Sequence, residues 1–147
     1  MKDMKPQNSA SKYNFFVSGK WRNRDNILKL TKAIRHKGYS AYCFLETEQN
    51  INRISNNPEE EMKKFEKLNW RNDPSIKKIF ENDMNGERNS GTFIMLLPAG
   101  KSCHIEAGVA YGMGKKCILI GEQKEAESLY LIFDEVYTTA QEFLQSL

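Results

Sequence analysis

Apolar and polar positions alternate along this chain in a way that predicts strands and helices in turn. Short apolar runs rich in aromatic, β-branched and aliphatic residues are typical of strands buried in a sheet. Such runs lie at residues 13–18, 39–44, 92–97, 117–120 and 135–138. Between them the apolar residues recur every three or four positions, which is the spacing of a helix with one buried face. The segment 128–133 fits either a strand or a helix.

The predicted helices follow from this spacing and from residues that begin or end helices. They run from the first strand's loop to Gly38, over 58–69, over 73–83 with Asp73 as N-cap, over 103–111, and from 139 onward. Their predicted inward-facing residues include Ile27, Leu30, Ile34, Met62, Phe65, Leu68, Ile76, Ile79 and Phe80. The segment 85–91 is rich in Asn and Gly and is predicted to be a turn.

This order of elements predicts a three-layer α/β fold. A parallel sheet of about five strands, with helices on both faces, is expected in a flavodoxin-like or Rossmann-like order. The runs 92–97 and 117–120 are expected at its centre. Residues 13–147 are expected to form this single domain. Residues 1–12 are polar and contain Pro6, which predicts a flexible N-terminal tail.

The composition narrows the classes of partner. The net charge is +3 and charges of both signs are mixed along the chain, so no nucleic-acid polymer is expected as a partner. No apolar run reaches transmembrane length and the N-terminus lacks a signal-peptide core, so we expect no membrane association and a cytoplasmic protein. An odd number of cysteines and the lack of metal-ligand spacing predict reduced thiols, no metal and no cofactor.

The segment 92–121 carries the strongest functional signal. Its order is strand, tight loop, short helix and strand, because Pro98 ends the first apolar run and a glycine-containing stretch ends the helix. Ser102 is predicted to be the N-cap of that helix. In such units ligands bind at the carboxyl ends of the strands, beside the helix N-terminus.

Glu106 is the candidate catalytic residue of this segment. It lies about one turn into the predicted helix, where the helix dipole is expected to keep the pKa of the carboxyl low. An ionised carboxylate at a ligand cleft suits a nucleophile. The alternative is that Glu106 only matches the helix dipole, as many first-turn carboxylates do.

A second candidate loop follows the first strand. Ser18 and Gly19 end that strand, and Lys20, Trp21 and Arg22 follow before the next helix. Backbone N–H groups and cations at a helix start form a generic cradle for phosphate, although neither a Walker loop nor a Gly-x-Gly-x-x-Gly fingerprint is present. Trp21 is expected to stack on a base, or else to pack over the helix. A solvated loop with surface cations is the alternative for the whole segment.

The segment after the central strand resembles a known family. Its sequence is PAGKSCHIEAGVAYGMGKKCILI, which resembles the core of the nucleoside 2-deoxyribosyltransferase-like superfamily. That group contains nucleoside deoxyribosyltransferases and nucleoside 5'-monophosphate N-glycosidases. In the family, a Glu at the start of this helix is the nucleophile that takes the sugar C1'. The matching residue here is Glu106, followed by Ala107 and Gly108.

The resemblance implies hydrolysis or transfer at the N-glycosidic bond of a nucleoside or nucleoside monophosphate. His104 is then expected to assist the leaving base, unless it only points to solvent. Cations in both loops favour a nucleotide over a bare nucleoside. The expected substrate-binding residues are Ser18, Gly19, Lys20, Trp21, Arg22, Pro98, Gly100, Lys101 and Ser102.

The resemblance also implies a homodimer. Phe65, Trp70 and Phe80 are candidates for its interface, and the alternative is that they fill the core of one subunit.

The chain departs from the family beside the central strand, where the transferases usually carry carboxylates. Asp73 and Asp83 are the nearest upstream carboxylates, and neither lies in a matching motif. Hydrolysis or binding alone is therefore favoured over base exchange. Two alternatives are a lysine-decarboxylase-like phosphoribohydrolase, whose glycine-rich pattern is half present at 98–106, and a non-catalytic nucleotide-binding sensor or interaction module.

Overall fold

The computed structural model describes residues 11–147, which form a parallel sheet covered by helices. The strands are β1 (Tyr13–Ser18), β2 (Ala41–Cys43), β3 (Ser90–Leu96), β4 (Lys116–Ile120) and β5 (Glu135–Tyr137). The α-helices are α1 (Arg24–His36), α2 (Glu48–Ile51), α3 (Pro58–Glu66), α4 (Pro74–Arg88), α5 (Lys101–Gly112) and α6 (Ala140–Gln145). Short 3-10 segments lie at Trp21–Asn23, Phe44–Glu46 and Ser128–Ile132. The predicted N-terminal tail lies outside the described residues, apart from residues 11 and 12.

The five strands are all parallel and lie in the order β2-β1-β3-β4-β5. This is the flavodoxin-like order, so the predicted fold class is confirmed. The strand β3 is central, with β1 on one side and β4 on the other. The carboxyl ends of β1 and β3 are therefore neighbours, as the pairing of Ser18 with Met95 shows.

Two apolar clusters cover the two faces of the sheet, because successive side chains of a strand point to opposite faces. Phe15 and Val17 lie in the cluster that packs against α1 and α6. Phe16 lies in the other cluster, which includes Phe93 and Ala107 of α5. By the same alternation Ser18 falls on the face of Phe16, which is the face covered by α4 and α5.

The helix α4 is longer than predicted. It runs to Arg88, so the prediction of a turn over 85–91 is wrong. The reason is that Gly86 is needed for close packing and does not end the helix. A Cβ added at Gly86 would lie 2.8 Å from the ring of Tyr42, and that ring stacks on Phe16 with centroids 5.1 Å apart.

The helix α3 buries an acid instead of its apolar residues. Glu61 is 3% exposed and receives a hydrogen bond from Arg53 Nε at 2.5 Å. Phe65 and Leu68, which were predicted to face inward, are instead exposed. The ion pair takes the buried side of this short helix, and the apolar residues are left on the outer side.

The candidate interface residues lie on the surface. Trp70 is 65% exposed, Phe80 is 61% exposed and Phe65 is 36% exposed. The alternative that they fill the core of one subunit is therefore wrong. The homodimer stays a prediction.

The close contact between Gly86 and Tyr42 predicts an unusual response to alanine. In an open helix position Gly→Ala raises stability by about 0.5–1 kcal/mol. Gly86→Ala is expected to lower the free energy of unfolding by about 1–3 kcal/mol instead, because the new methyl group meets a packed ring. Urea unfolding followed by circular dichroism measures the difference.

Gly108 of α5 provides the matched control, because a Cβ there would meet nothing within 4 Å. Gly108→Ala is expected to be neutral or stabilising under the same conditions. Equal effects of the two substitutions would show that the contact with Tyr42 does not limit the position of α4.

Candidate active site

The two candidate loops meet at the carboxyl edge of the sheet. Asn23, which follows β1, donates a hydrogen bond from Nδ2 to the carbonyl oxygen of Leu97 after β3, at 3.4 Å. A Cβ added at Gly100 would lie 3.9 Å from Cβ of Lys20. Because β1 and β3 are adjacent, the loops that follow them face one another, as the sequence predicted.

Glu106 is bound by the last residue of β1. The hydroxyl of Ser18 donates a hydrogen bond to Glu106 Oε1 at 2.7 Å. Ser18 is fully buried, whereas Glu106 keeps part of its surface open to solvent. The structure thus places Ser18 against the candidate nucleophile, where it can orient the carboxylate.

Burial, with a smaller contribution from the charge of Asp83, raises the pKa of Glu106 to about 8, against the lowering effect of the Ser18 hydrogen bond. The prediction of a low pKa is therefore wrong. The helix begins at Lys101, so Glu106 lies in its second turn. The helix dipole acts mainly within the first turn, and desolvation of the carboxylate outweighs it.

Two acids of α4 complete a cluster that the sequence did not predict as a site. Asp83 and Glu87 are four residues apart and so lie on the same side of the helix. Burial raises the pKa of Asp83 to about 7. Burial raises the pKa of Glu87 to about 8, with further contributions from Glu106 and Asp83.

A signal for these acids is present in the sequence. Ile76 and Ile79 begin an inner face whose helical spacing continues through Asp83 and Gly86. Because the helix was predicted to end at Asp83, that face was not followed further. A buried helix face that changes from isoleucine to acidic residues indicates a functional site.

His104 lies away from the acids. Its Nδ1 is 2.7 Å from the carbonyl oxygen of Gly100, and its Nε2 is 3.0 Å from the hydroxyl of Tyr130. The contact to a carbonyl requires a proton on Nδ1, and in the neutral imidazole Nε2 then accepts from the hydroxyl of Tyr130. Residues two positions apart on a helix do not face the same way. The structure therefore does not bring His104 to Glu106.

In the loop after β1, Trp21 makes ring contacts and Arg22 makes an ion pair. Trp21 packs beside Phe44, and the guanidinium of Arg53 lies 5.0 Å from the centre of its ring. Both neighbours contact its ring. Stacking of Trp21 on a base stays a prediction. Arg22 forms a hydrogen-bonded ion pair with Glu59 of α3, at 2.9 Å from Nη2.

The loop after β3 opens directly into α5. Gly100 is the N-cap, so the prediction that Ser102 caps this helix is wrong. The helix starts two residues earlier than predicted, because Gly100 adopts the extended conformation of a cap. Lys101 and Ser102 are exposed in the first turn, and Pro98 is exposed before it. The N–H groups of a first turn have no partner within the helix.

A cavity of about 340 Å³ lies beside α4 and β2. Its walls include Tyr13, Tyr42, Gln49, Lys78, Asn82 and Asn85. Neither Glu106 nor the predicted loop residues line it. The chemistry of the carboxylates, and not the volume of this cavity, marks the candidate site.

Residues 11–147 contain neither a metal-binding group of side chains nor a membrane-spanning helix. Within this range no three His, Cys, Asp or Glu side chains are grouped to hold a metal ion. In the same range no helix has both the length and the apolar character that crossing a membrane requires.

No protein-family model matches the chain, and no curated protein matches it. Among solved structures, the chain is similar to the structure of Clostridium botulinum CMP N-glycosidase, BcmB, with a TM-score of 0.52 and 19% sequence identity. The match covers 90% of this chain and 94% of that chain. At 19% identity this similarity shows that the two proteins share a fold. The resemblance stated from the sequence is therefore confirmed for the fold.

The three raised pKa values predict that stability falls as the pH rises from about 5 to about 8. Over this range the unfolded chain releases protons that the folded cluster retains, so ionisation favours unfolding. Each such carboxyl contributes up to about 1.4 kcal/mol per pH unit. Urea unfolding at several pH values measures the slope.

The variant Glu106→Gln should flatten this slope, because it removes one of the titrating groups. Glu81→Gln changes an exposed acid of the same helix and should keep the wild-type slope. A free energy of unfolding that stays constant or increases across this range would contradict the cluster.

Proposed function

We propose that this chain hydrolyses the N-glycosidic bond of a nucleoside monophosphate, with Glu106 as the nucleophile. The observation that carries the proposal is the position of Glu106. Its carboxylate accepts the Ser18 hydrogen bond at the carboxyl edge of the sheet and lies within electrostatic reach of Asp83. Enzymes that break a bond to an anomeric carbon usually use a pair of carboxyl groups.

The two acids divide the chemistry between them. The carboxylate of Glu106 attacks C1' of the sugar, and the bond from C1' to the base breaks. The leaving base takes a proton from Asp83. The raised pKa values of both carboxyls keep a proton on the Asp83–Glu106 pair near neutrality, and the Ser18 hydrogen bond favours Glu106 as the ionised member. Water then attacks the glycosyl ester, returns a proton to Asp83 and releases the sugar phosphate, which regenerates Glu106.

Ser18 has a positioning role in this scheme. Its hydroxyl is buried at the end of β1 and donates to Glu106, so it favours the ionised carboxylate and fixes its direction. The protein therefore stabilises the reactive form of Glu106 with a hydrogen bond while burial opposes it. Coupled carboxyls of this kind hold both ionised and protonated members near neutral pH.

The phosphate of the substrate is assigned to the two facing loops. The first turn of α5 offers the N–H groups of Lys101 and Ser102, and Lys20 and Arg22 supply cations from the other loop. The fold is shared with a protein whose name describes cleavage of CMP. That likeness supports a nucleoside monophosphate as the substrate class for this chain.

Replacing the nucleophile tests the reaction. Glu106→Gln keeps the shape and can still accept from Ser18, but it cannot form the ester. Release of free base from a panel of nucleoside monophosphates, measured by chromatography, should fall by roughly a thousandfold or more. Asp83→Asn should also reduce the rate, because the leaving base loses its proton donor.

Glu125→Gln is the control, since Glu125 is exposed beyond β4. It should keep the wild-type rate. Circular dichroism of each variant shows whether the fold is retained. Full base release by a folded Glu106→Gln protein would refute the assignment of the nucleophile.

Arg22 should contribute to affinity more than to the rate of the chemical step. It is paired with Glu59, and both side chains are largely exposed, at 47% and 59%. An exposed ion pair is worth at most about 1 kcal/mol, so a phosphate dianion can displace Glu59. Arg22→Ala should therefore raise KM several-fold and change kcat little.

Glu59→Gln gives the opposite test of the same contact. It removes the competing carboxylate and leaves Arg22 in place, so KM should stay equal or fall. An increase of KM in Glu59→Gln as large as in Arg22→Ala would show that the ion pair, and not Arg22 itself, is what binding requires.

A further inference from the structure

Glu87 is buried in α4 in a way that the proposed reaction does not explain. It is 2% exposed, and neither of its carboxyl oxygens has a hydrogen-bond partner among the described residues. The space beside it is lined by Phe16, Phe93 and Ala110 and is too small for a water molecule. An unpartnered carboxyl in such surroundings strongly favours its neutral form.

The groups that face Glu87 give it little compensation. From its own helix it faces Asp83, and from α5 it faces Glu106. Among residues 11–147, the cation that acts on it is Lys115, before β4, whose ammonium already donates to the carbonyl oxygen of Arg88 at 3.0 Å. The residues of β1 and β3 that line the space, Phe16, Ser90, Thr92 and Phe93, carry no charge.

An apolar side chain at position 87 would cost less stability than the buried carboxyl of Glu87. Glu87 lies four residues after Asp83, so both project from the same side of α4. Ala110 lines its space and lies four residues after Glu106, one turn further along α5. Glu87 thus adjoins the two acids of the proposed mechanism, but it lies deeper and has no donor comparable to Ser18.

We propose that Glu87 is a positioning residue: a buried carboxyl that keeps its proton while Glu106 ionises, so that the negative charge of the cluster lies on the groups that meet the substrate. This inference rests on the proposed function. If Glu87 ionised as well, its charge would add to that of Glu106 in one buried site. That extra charge would oppose binding of a phosphate-bearing substrate.

The order of ionisation can be measured directly. NMR titration of the wild-type protein, with ¹³C-labelled side-chain carboxyls of Asp and Glu, follows each group separately. Glu87 is expected to lose its proton last of the three. In Glu106→Gln the midpoint of Glu87 should fall by about half a pH unit or more, since a neighbouring charge has been removed. Ionisation of Glu87 before Glu106 would overturn the proposal.

The effect on the site can be measured by binding. Calorimetry gives the affinity of wild type, Glu87→Gln and Glu87→Leu for a nucleoside monophosphate at about pH 7 and about pH 9. The neutral variants should match wild type near pH 7 and lose less affinity than wild type on going to pH 9. Glu81→Gln, an exposed acid of α4, should behave as wild type. Identical pH dependence in wild type and both Glu87 variants would refute the role.

These readouts separate the inference from the proposed function. If the protein releases no base from any nucleoside monophosphate, the proposed function fails, and the titration order still decides whether Glu87 holds its proton. A purely structural Glu87 would change the free energy of unfolding in the variants without changing the pH dependence of binding. Since the titration uses the wild-type protein, a variant that fails to fold does not prevent the test.

Discussion

The hydrogen bond from Ser18 to Glu106 joins the sheet to the helix that carries the candidate nucleophile. Ser18 is the last residue of β1, and its side chain falls on the α5 side because strand residues alternate between faces. A shift of one residue in β1 would turn this hydroxyl to the opposite cluster. The register of the sheet is set by Phe15, Phe16 and Val17, so apolar packing decides which polar group meets Glu106.

The fold was predictable because its signals are local and repeated. The apolar runs that became β1, β3 and β4 could only be buried, and alternation with helices leaves few topologies open. Glu106 became the candidate nucleophile because of its place after a buried strand and because of the family resemblance. The meeting of the two loops followed from the adjacency of β1 and β3.

What the sequence did not predict depends on packing between distant elements. Asp83 and Glu87 lie near Glu106 because α4 packs against the sheet, and Glu87 is in that helix because α4 passes the turn expected at 85–91. The low pKa expected for Glu106 followed from its position on a helix, whereas its raised pKa comes mainly from burial by other elements. The packing of Phe44 and Arg53 around Trp21 was not predicted either, because both residues lie far along the chain.

Gly86 acts as a spacer between α4 and the sheet. With no side chain there, the helix backbone rests against the ring of Tyr42, which in turn lies on Phe16. Asp83 lies one turn before this contact and Glu87 follows it directly. The ring of Tyr42 sets the distance between α4 and the sheet, and this distance determines how far both acids are buried. The pKa values of the cluster therefore depend on a residue that has no side chain. A lineage that gained a methyl group at position 86 would change those pKa values without altering any of the acids.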